Sequence, residues 1–459
     1  MDYKFGTMYR VELVDGRITD TDLNGILNEH ANDVTRFNKL DTYAKGDNYT
    51  ILAQDDKDEG IPDNKIPVPY GRKILTTIFG YLFGKPIQYE LKDENVKTAL
   101  DYRFTAIKND KKNAQIGNYL LKYGIGVKLF YIQDESGTPQ ISYSAVDPKT
   151  IIPVYDFSID GELVAVIRYY LKNVGGASVT KVEVYYKDII QYFTKTGGAF
   201  TPELEKPNGL SAVPCVVYMT DDAQGVFEPV TEIIDAIDTM ISTNMNEVQR
   251  FELAYLILTG QLMDDDDIDK TKKNGVFMLD KESTIAYLTK QINDTFNGNV
   301  LAFLIDQVHK QAGVPDFSSK DFSAISGIAL QYKLLDLETL ASGYEAVIRG
   351  GEDESVKMIV NFINRSSEYK EPITIIMNRN LPEDIASKMA VAIQMQQAGA
   401  SQRSVFEFMP MIQNADDEIK EVDGEKKKNM ETFMASSLNQ PNDQNNDQNN
   451  DQNMDQNNQ

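Results

Sequence analysis

The chain has 459 residues, 41% apolar and 25% charged, with 46 Lys and Arg against 70 Asp and Glu for a formal net charge of −24. That length exceeds one compact domain and sets an expectation of two or three folded modules. The acidic balance argues against a protein that grips nucleic acid, because tight phosphate binding depends on Lys and Arg displacing counterions. It suits solubility, or a wall that DNA must pass without sticking. The lone Cys215 excludes an internal disulfide, and the start MDYKFGTMYR has no apolar run of a secretory signal. The densest apolar stretch, 253–258, is far too short for a membrane span, so the expectation is a soluble protein made in a reducing compartment.

Taken in chain order, the first half to about residue 224 reads as an α+β module. GRKILTTIFGYLFG (71–84) has the periodicity of an amphipathic helix that ends at Gly84, with Pro86 beyond it. GVKLFYIQDESGTPQISYSAVD (126–147) predicts two strands joined by an Asp-Glu-Ser-Gly turn. ELVAVIRYYLK (162–172) and KVEVYYKDIIQYFT (181–194) are rich in Tyr and Val and predict further strands, with VGGAS at the connection.

The pattern changes after Pro229. Residues 230–259 contain neither Gly nor Pro, and apolar side chains recur at Val230, Ile234, Ile237, Ile241, Val248, Phe251, Tyr255, Leu258 and Leu262. Such spacing predicts one helix of roughly 45–50 Å at about 1.5 Å per residue. Glu228, Glu232, Asp235 and Asp238 crowd its first turns, where the helix dipole favours anions. A charged insertion follows, with Asp264, Asp265, Asp266 and Asp267 near Lys270, Lys272 and Lys273, and with two strands expected around Asn274-Gly275. A second helix is predicted over 299–312, stopped by Gly313 and Pro315.

FSSKDFSAISGIALQYKLLDLE (317–338) then joins a small polar loop to a long helix that carries Gly327 near its start. PITIIMN (372–378) predicts one strand, and 382–435 three shorter helices with Ser401 as an N-cap. From Asn442 a four-residue Asn/Asp/Gln repeat offers almost no apolar surface and is expected to stay unfolded.

Motifs with chemistry are sparse. GYLFGKP (80–86) resembles a phosphate loop but is one residue short and has Pro86 where the metal-binding hydroxyl belongs. GIG (124–126) lacks the third glycine of a dinucleotide fingerprint. The four aspartates lack the alternating spacing of a calcium loop, and two histidines, His30 and His309, are little material for a catalytic triad or a zinc site. No catalytic residue, cofactor or metal is expected.

At FSAISGIALQYKLLDLE the sequence resembles the portal proteins of tailed bacteriophages, in the family typified by long-tailed phages of Gram-positive hosts. PVPYGRKILTTIFGYLFGKPIQYE, YGIGVKLFYIQDESGTPQISYSAVDPKTIIPVYD and ITIIMNRNLPEDIASKMAVAIQMQQAGASQRSVFEFMPMIQNADDEIKEV resemble the family in the same order. The resemblance implies a ring-forming α+β subunit of a dodecamer at one capsid vertex, made and assembled in the host cytoplasm and then part of the virion. Its parts would be a wing over 1–229, stem helices at 230–262 and 297–312, and a clip at 263–296. A tunnel loop would follow at 313–323, a long kinked helix with a wing strand at 324–380, a crown at 381–435 and an unfolded tail at 436–459. Ser318, Ser319, Lys320, Asp321 and Phe322 would reach double-stranded DNA in the channel, with Gly327 at the helix kink. Glu232, Asp235, Asp238, Glu247 and Glu252 would form an acidic channel wall, and Asp264–Asp267 with Lys270, Lys272 and Lys273 would meet the terminase. Further implied partners are the major capsid, scaffolding and head-completion proteins, with no membrane. Gly350 and Gly351 depart from the pattern, since they fall where the long helix should continue. Two readings from other classes stay open: another head protein such as a capsid or connector subunit, and an acidic hydrolase.

Overall fold

Two short strands, β1 (Lys4–Phe5) and β2 (Met8–Arg10), lead into helix α1 (Asp20–Lys45). The Thr19 hydroxyl caps α1 by accepting from the Asp22 amide at 3.2 Å, and Gly46 ends it at φ 90°. The computed structural model describes residues 3–58, 61–252, 256–259, 284–287, 294–317, 332–364, 369–380, 385–409, 411–412 and 414–438. A single turn, α2 (Tyr49–Leu52), precedes α3 (Tyr70–Phe83), strand β3 (Gln88–Glu90), α4 (Glu94–Ile107) and α5 (Asn109–Tyr123). Strands β4 (Ile125–Glu135) and β5 (Thr138–Val146) form the expected hairpin, with Ser136 and Gly137 both at positive φ in a two-residue turn. The run continues with β6 (Ile151–Tyr155), β7 (Leu163–Val174), β8 (Ala177–Tyr185), β9 (Ile189–Thr196), β10 (Ala199–Pro207) and β11 (Cys215–Met219).

These strands make a seven-stranded sheet in the order β1-β2-β6-β7-β8-β9-β10 and a three-stranded sheet β11-β4-β5. Only the β2–β6 pair of the large sheet is parallel. Leu23 and Ile26 of α1 pack on Ile152, Val154, Ile167 and Val182, which alternate inward along their strands. Val127, Leu129 and Cys215 of the smaller sheet meet Ile151, Val166 and Tyr185 of the larger one, so one apolar core joins both. The outer edge of β5 is covered rather than open: Arg103 Nε donates to the Ile141 carbonyl and Lys112 Nζ to that of Tyr143.

After β11 come α6 (Thr231–Glu252), a strand pair β12 (Leu256–Thr259) and β13 (Thr284–Tyr287), α7 (Asp294–Gln311) and α8 (Leu335–Asn364). Strand β14 (Thr374–Ile376) pairs antiparallel with β3. A separate unit, Leu381–Gln459, holds α9 (Ile385–Gln397), α10 (Gln402–Phe408) and α11 (Ala415–Leu438). There Ser401 caps α10 as expected, its hydroxyl accepting from the Ser404 amide at 3.2 Å.

Three boundaries differ from expectation, and one point left open is decided. The predicted helix over 230–262 is helix over Thr231–Glu252, but Leu256–Thr259 is a strand that pairs with Thr284–Tyr287 instead. An apolar run such as LILT fits strand and helix equally, and a partner strand decides it. Helix α7 starts at Asp294, inside the expected clip, and α11 reaches Leu438, inside the expected tail. Helix α8 passes through Gly350 and Gly351 without a break. Packing on the body offsets the roughly 1 kcal/mol per glycine of weak helix propensity.

Candidate functional site

Helices α6 and α7 lie against each other. Their apolar faces are used unevenly. Val230, Ile234 and Ile237 are fully buried against the body, whereas Met245 and Val248 on α6 and Phe296 and Phe303 on α7 are exposed, the last two at about 60%. The helix pair therefore carries solvent-exposed apolar side chains beyond those packed on the body.

The acidic residues of α6 divide in the same way. Glu232 is exposed, Glu247 is half-buried within 3.6 Å of Arg250, and Glu252 closes the helix. Asp238 is fully buried and cannot belong to an exposed acidic wall. Its carboxylate accepts from the Val68 amide at 2.8 Å and from Asn48 Nδ2 at 2.6 Å. Burial pushes its pKa up, with Asp235 adding to that, against the lowering by Asn48 and Val68. Asp235 is half-buried and accepts from the Tyr43 hydroxyl, so it also faces the body. The resemblance placed both on the wall because acids on a helix are ordinarily solvated, and nothing local marks an inward partner.

What holds Asp238 is an extended segment, 64–68, that runs along α6. Asn64, Ile66 and Val68 each turn their backbone N–H to the helix: Val68 to Asp238, Ile66 to Ser242 Oγ at 2.9 Å, and Asn64 to Asn246 Oδ1 at 2.6 Å. The acceptors are spaced by four on the helix and the donors by two on the strap. Four helical residues rise about 6.0 Å and two extended residues about 6.6 Å, so the two ladders stay in step. Reading the sequence missed this pairing. The signal was present in the alternation of Ile66-Pro67-Val68-Pro69 against Asp238, Ser242 and Asn246, but the two stretches lie about 170 residues apart.

At the other end of the pair, Gly313 ends α7 at φ 64° and His309 Nδ1 donates to the Val314 carbonyl at 2.9 Å. Asp316 accepts from Lys73 Nζ at 3.1 Å, which ties the start of the predicted loop to α3. Ser318, Ser319, Lys320, Asp321, Phe322 and Gly327 lie outside the described residues, as do Asp264, Asp265, Asp266, Asp267, Lys270, Lys272 and Lys273.

Helix α8 is fixed to the body at two levels. Arg379 bridges Glu338, at 2.8 Å, and Glu345 near its start, and the Tyr81 hydroxyl also donates to Glu338. Midway, Glu352 accepts from Lys128 Nζ at 2.7 Å, Tyr218 at 2.9 Å and Tyr89 at 2.8 Å, all in the interior. Burial lowers the Lys128 pKa and raises those of both tyrosines, with Glu352 favouring the charged lysine and the neutral tyrosines.

The helix pair and the long helix are thus pinned to an α+β body by buried polar contacts. A family model described as phage portal protein, SPP1 Gp6-like, matches residues 23–432. The chain belongs to that phage portal family. A curated relative named Portal protein, from Clostridium phage phiCD119, is 23% identical over 384 residues, covering 77% of this chain and 84% of the relative. Two solved assemblies contain similar chains. The neck of an empty gene transfer agent particle matches at 10% identity and TM-score 0.44, covering 76% of this chain and 92% of the other. The virion of a native gene transfer agent particle matches at 11% identity and TM-score 0.42, covering 75% and 90%.

Proposed function

We propose that copies of this chain close into a ring, twelve as the resemblance implies, whose axis is the passage for double-stranded DNA at one capsid vertex. The family match across residues 23–432 carries this reading. In it the ring serves genome packaging, retention and ejection and joins head to tail, acting as a structural part rather than as a catalyst. Helices α6 and α7 form the stem, the segment around β12 and β13 the clip, residues 313–323 the tunnel loop, α8 the long helix, and α9 to α11 the crown. The exposed Met245, Val248, Phe296 and Phe303 support packing of stem on stem, since a head-to-tail contact that closes by rotation buries such faces around a ring.

With Asp235 and Asp238 committed to the body, Glu232, Glu247 and Glu252 remain as acidic groups of α6 for a wall that repels phosphates. Lys320 then supplies a weak positive contact in the loop, and the charged clip residues meet the terminase and later the head-completion proteins, with capsid and scaffolding proteins around the body. Assembly takes place in the host cytoplasm and the product resides in the virion.

Electron microscopy of the purified full chain tests the reading: closed rings with a hole wide enough for duplex DNA are expected. Monomers or dimers across a range of salt and concentration would end it. Lys320→Ala is expected to alter packaging or DNA retention while ring formation stays unchanged.

A further inference from the structure

We propose that the 64–68 strap is a single-register lock that sets the axial position of α6 on the body. The proposal concerns how the helix is held, and it stands whether or not that helix lines a channel. The three backbone donors meet three side-chain acceptors on one helix face: Val68 with Asp238, Ile66 with Ser242, and Asn64 with Asn246. All three acceptor residues are buried, at 0%, 4% and 6% exposure, so a lost bond leaves a polar group without water.

Neither ladder can be extended or shifted. On the strap side the next donor position is Pro62, which has no N–H, and beyond Val68 the chain enters α3 at Tyr70. On the helix side the next positions at the same spacing are Ile234 and Arg250, and neither side chain accepts a hydrogen bond. A slip by one step leaves at most two of the three bonds.

The composition of the strap serves the same end. Pro67 and Pro69 occupy the alternating positions whose amides would point away from the helix, so the chain carries no N–H there. Each proline also biases the residue before it, Ile66 and Val68, toward the extended conformation that the ladder needs. On that outer side Lys65 Nζ pairs with Asp56 at 2.6 Å, holding the strap from behind. The Asn64 side chain adds bonds to Asn246 Oδ1 at 2.7 Å and to Gln249 Oε1 at 2.8 Å.

Hydrogen exchange and distance measurement on the full chain test the lock. In the unaltered protein the amides of Asn64, Ile66 and Val68 are expected to exchange slowly. Ser242→Ala should release Ile66, and Asn246→Ala should release Asn64, each by about tenfold or more, while Asn246→Asp keeps the acceptor and the protection. Spin labels at Tyr102→Cys on α4 and Thr259→Cys on β12, in labelled chain diluted with unlabelled chain, report the position of the far end of α6. Ser242→Ala with Asn246→Ala should broaden or shift that distance by up to about 6 Å, one register step. Ile66→Pro, which removes one donor from the strap without touching the helix, should act in the same direction. Fast exchange across 64–68 in the unaltered chain would overturn the proposal. An unchanged distance distribution in the double variant would overturn it too.

Discussion

Lys128 and Glu352 meet at 2.7 Å, Nζ to Oε1, with side-chain exposures of 0% and 2%. One comes from β4 and the other from the middle of α8, so a charge pair in the interior fixes the long helix against the small sheet. Ser355 Oγ lies 3.3 Å from the same ammonium, and Tyr89 and Tyr218 complete the shell around the carboxylate. Separating two such charges is costly because either one alone would be buried unpaired.

Lys128→Met should therefore lower stability by about 3–5 kcal/mol, as expected for removing one partner of a buried pair. Glu352→Gln, which keeps an acceptor for the tyrosines, should also destabilise. The double variant should lose clearly less than the sum of the two. Urea unfolding of all four proteins gives the cycle, and strict additivity would mean that the two groups do not couple.

The two adjacent glycines of α8 should behave in opposite ways. A Cβ on Gly351 would sit 2.3 Å from Tyr218 Cε1, whereas one on Gly350 would meet nothing within 4 Å. Gly351→Ala should cost about 1–3 kcal/mol through overpacking. Gly350→Ala should be neutral or gain up to about 1 kcal/mol from helix propensity. Denaturant midpoints of the two variants check the contrast.

His30 is buried against Tyr9, Phe37 and Tyr169, and its Nδ1 lies 2.8 Å from the Tyr169 hydroxyl. Burial lowers its pKa to about 4 from 6.5, with Lys4 lowering it further and Asp33 and the Pro148 backbone opposing. The folded state thus refuses a proton that the unfolded chain accepts. Its contribution is complete above about pH 6.5 and falls as the pH drops toward 4, by about 3 kcal/mol in all. Stability of His30→Gln measured over that range should be flatter than that of the unaltered chain.

A second acid-sensitive contact acts at lower pH. Burial raises the Asp41 pKa, but hydrogen bonds from Lys122, Lys149 and Tyr123 outweigh it and bring the value to about 2. The stabilisation is present above the ordinary carboxylate value of 3.8 and is lost as the pH falls through about 2. Asp41→Asn should remove about 2 kcal/mol at neutral pH and little at pH 2, read by denaturant unfolding at both.

Local chemistry made much of the fold legible. The Ser136-Gly137 and Gly175-Gly176 turns, the Gly313 helix end and the Ser401 cap are each set by a few adjacent residues. A glycine at positive φ or a hydroxyl at an N-cap reports its own backbone, so neither needs a distant partner to be read. The order of mixed body, helix pair, loop and long helix follows from the same signals, and it carried the family resemblance.

Tertiary contact decided the rest. Whether 256–259 is helix or strand depends on residues 284–287, and whether Gly350-Gly351 breaks α8 depends on Tyr218 and Lys128. Asp235 and Asp238 look solvent-facing as charged residues of a long helix, yet Tyr43, Asn48 and Val68 hold them inward. In each case two stretches far apart in the chain compete with water for the same polar or apolar group. Periodicity along one stretch records which face of a helix is apolar or acidic, but the direction that face points is fixed only by what the folded body brings beside it.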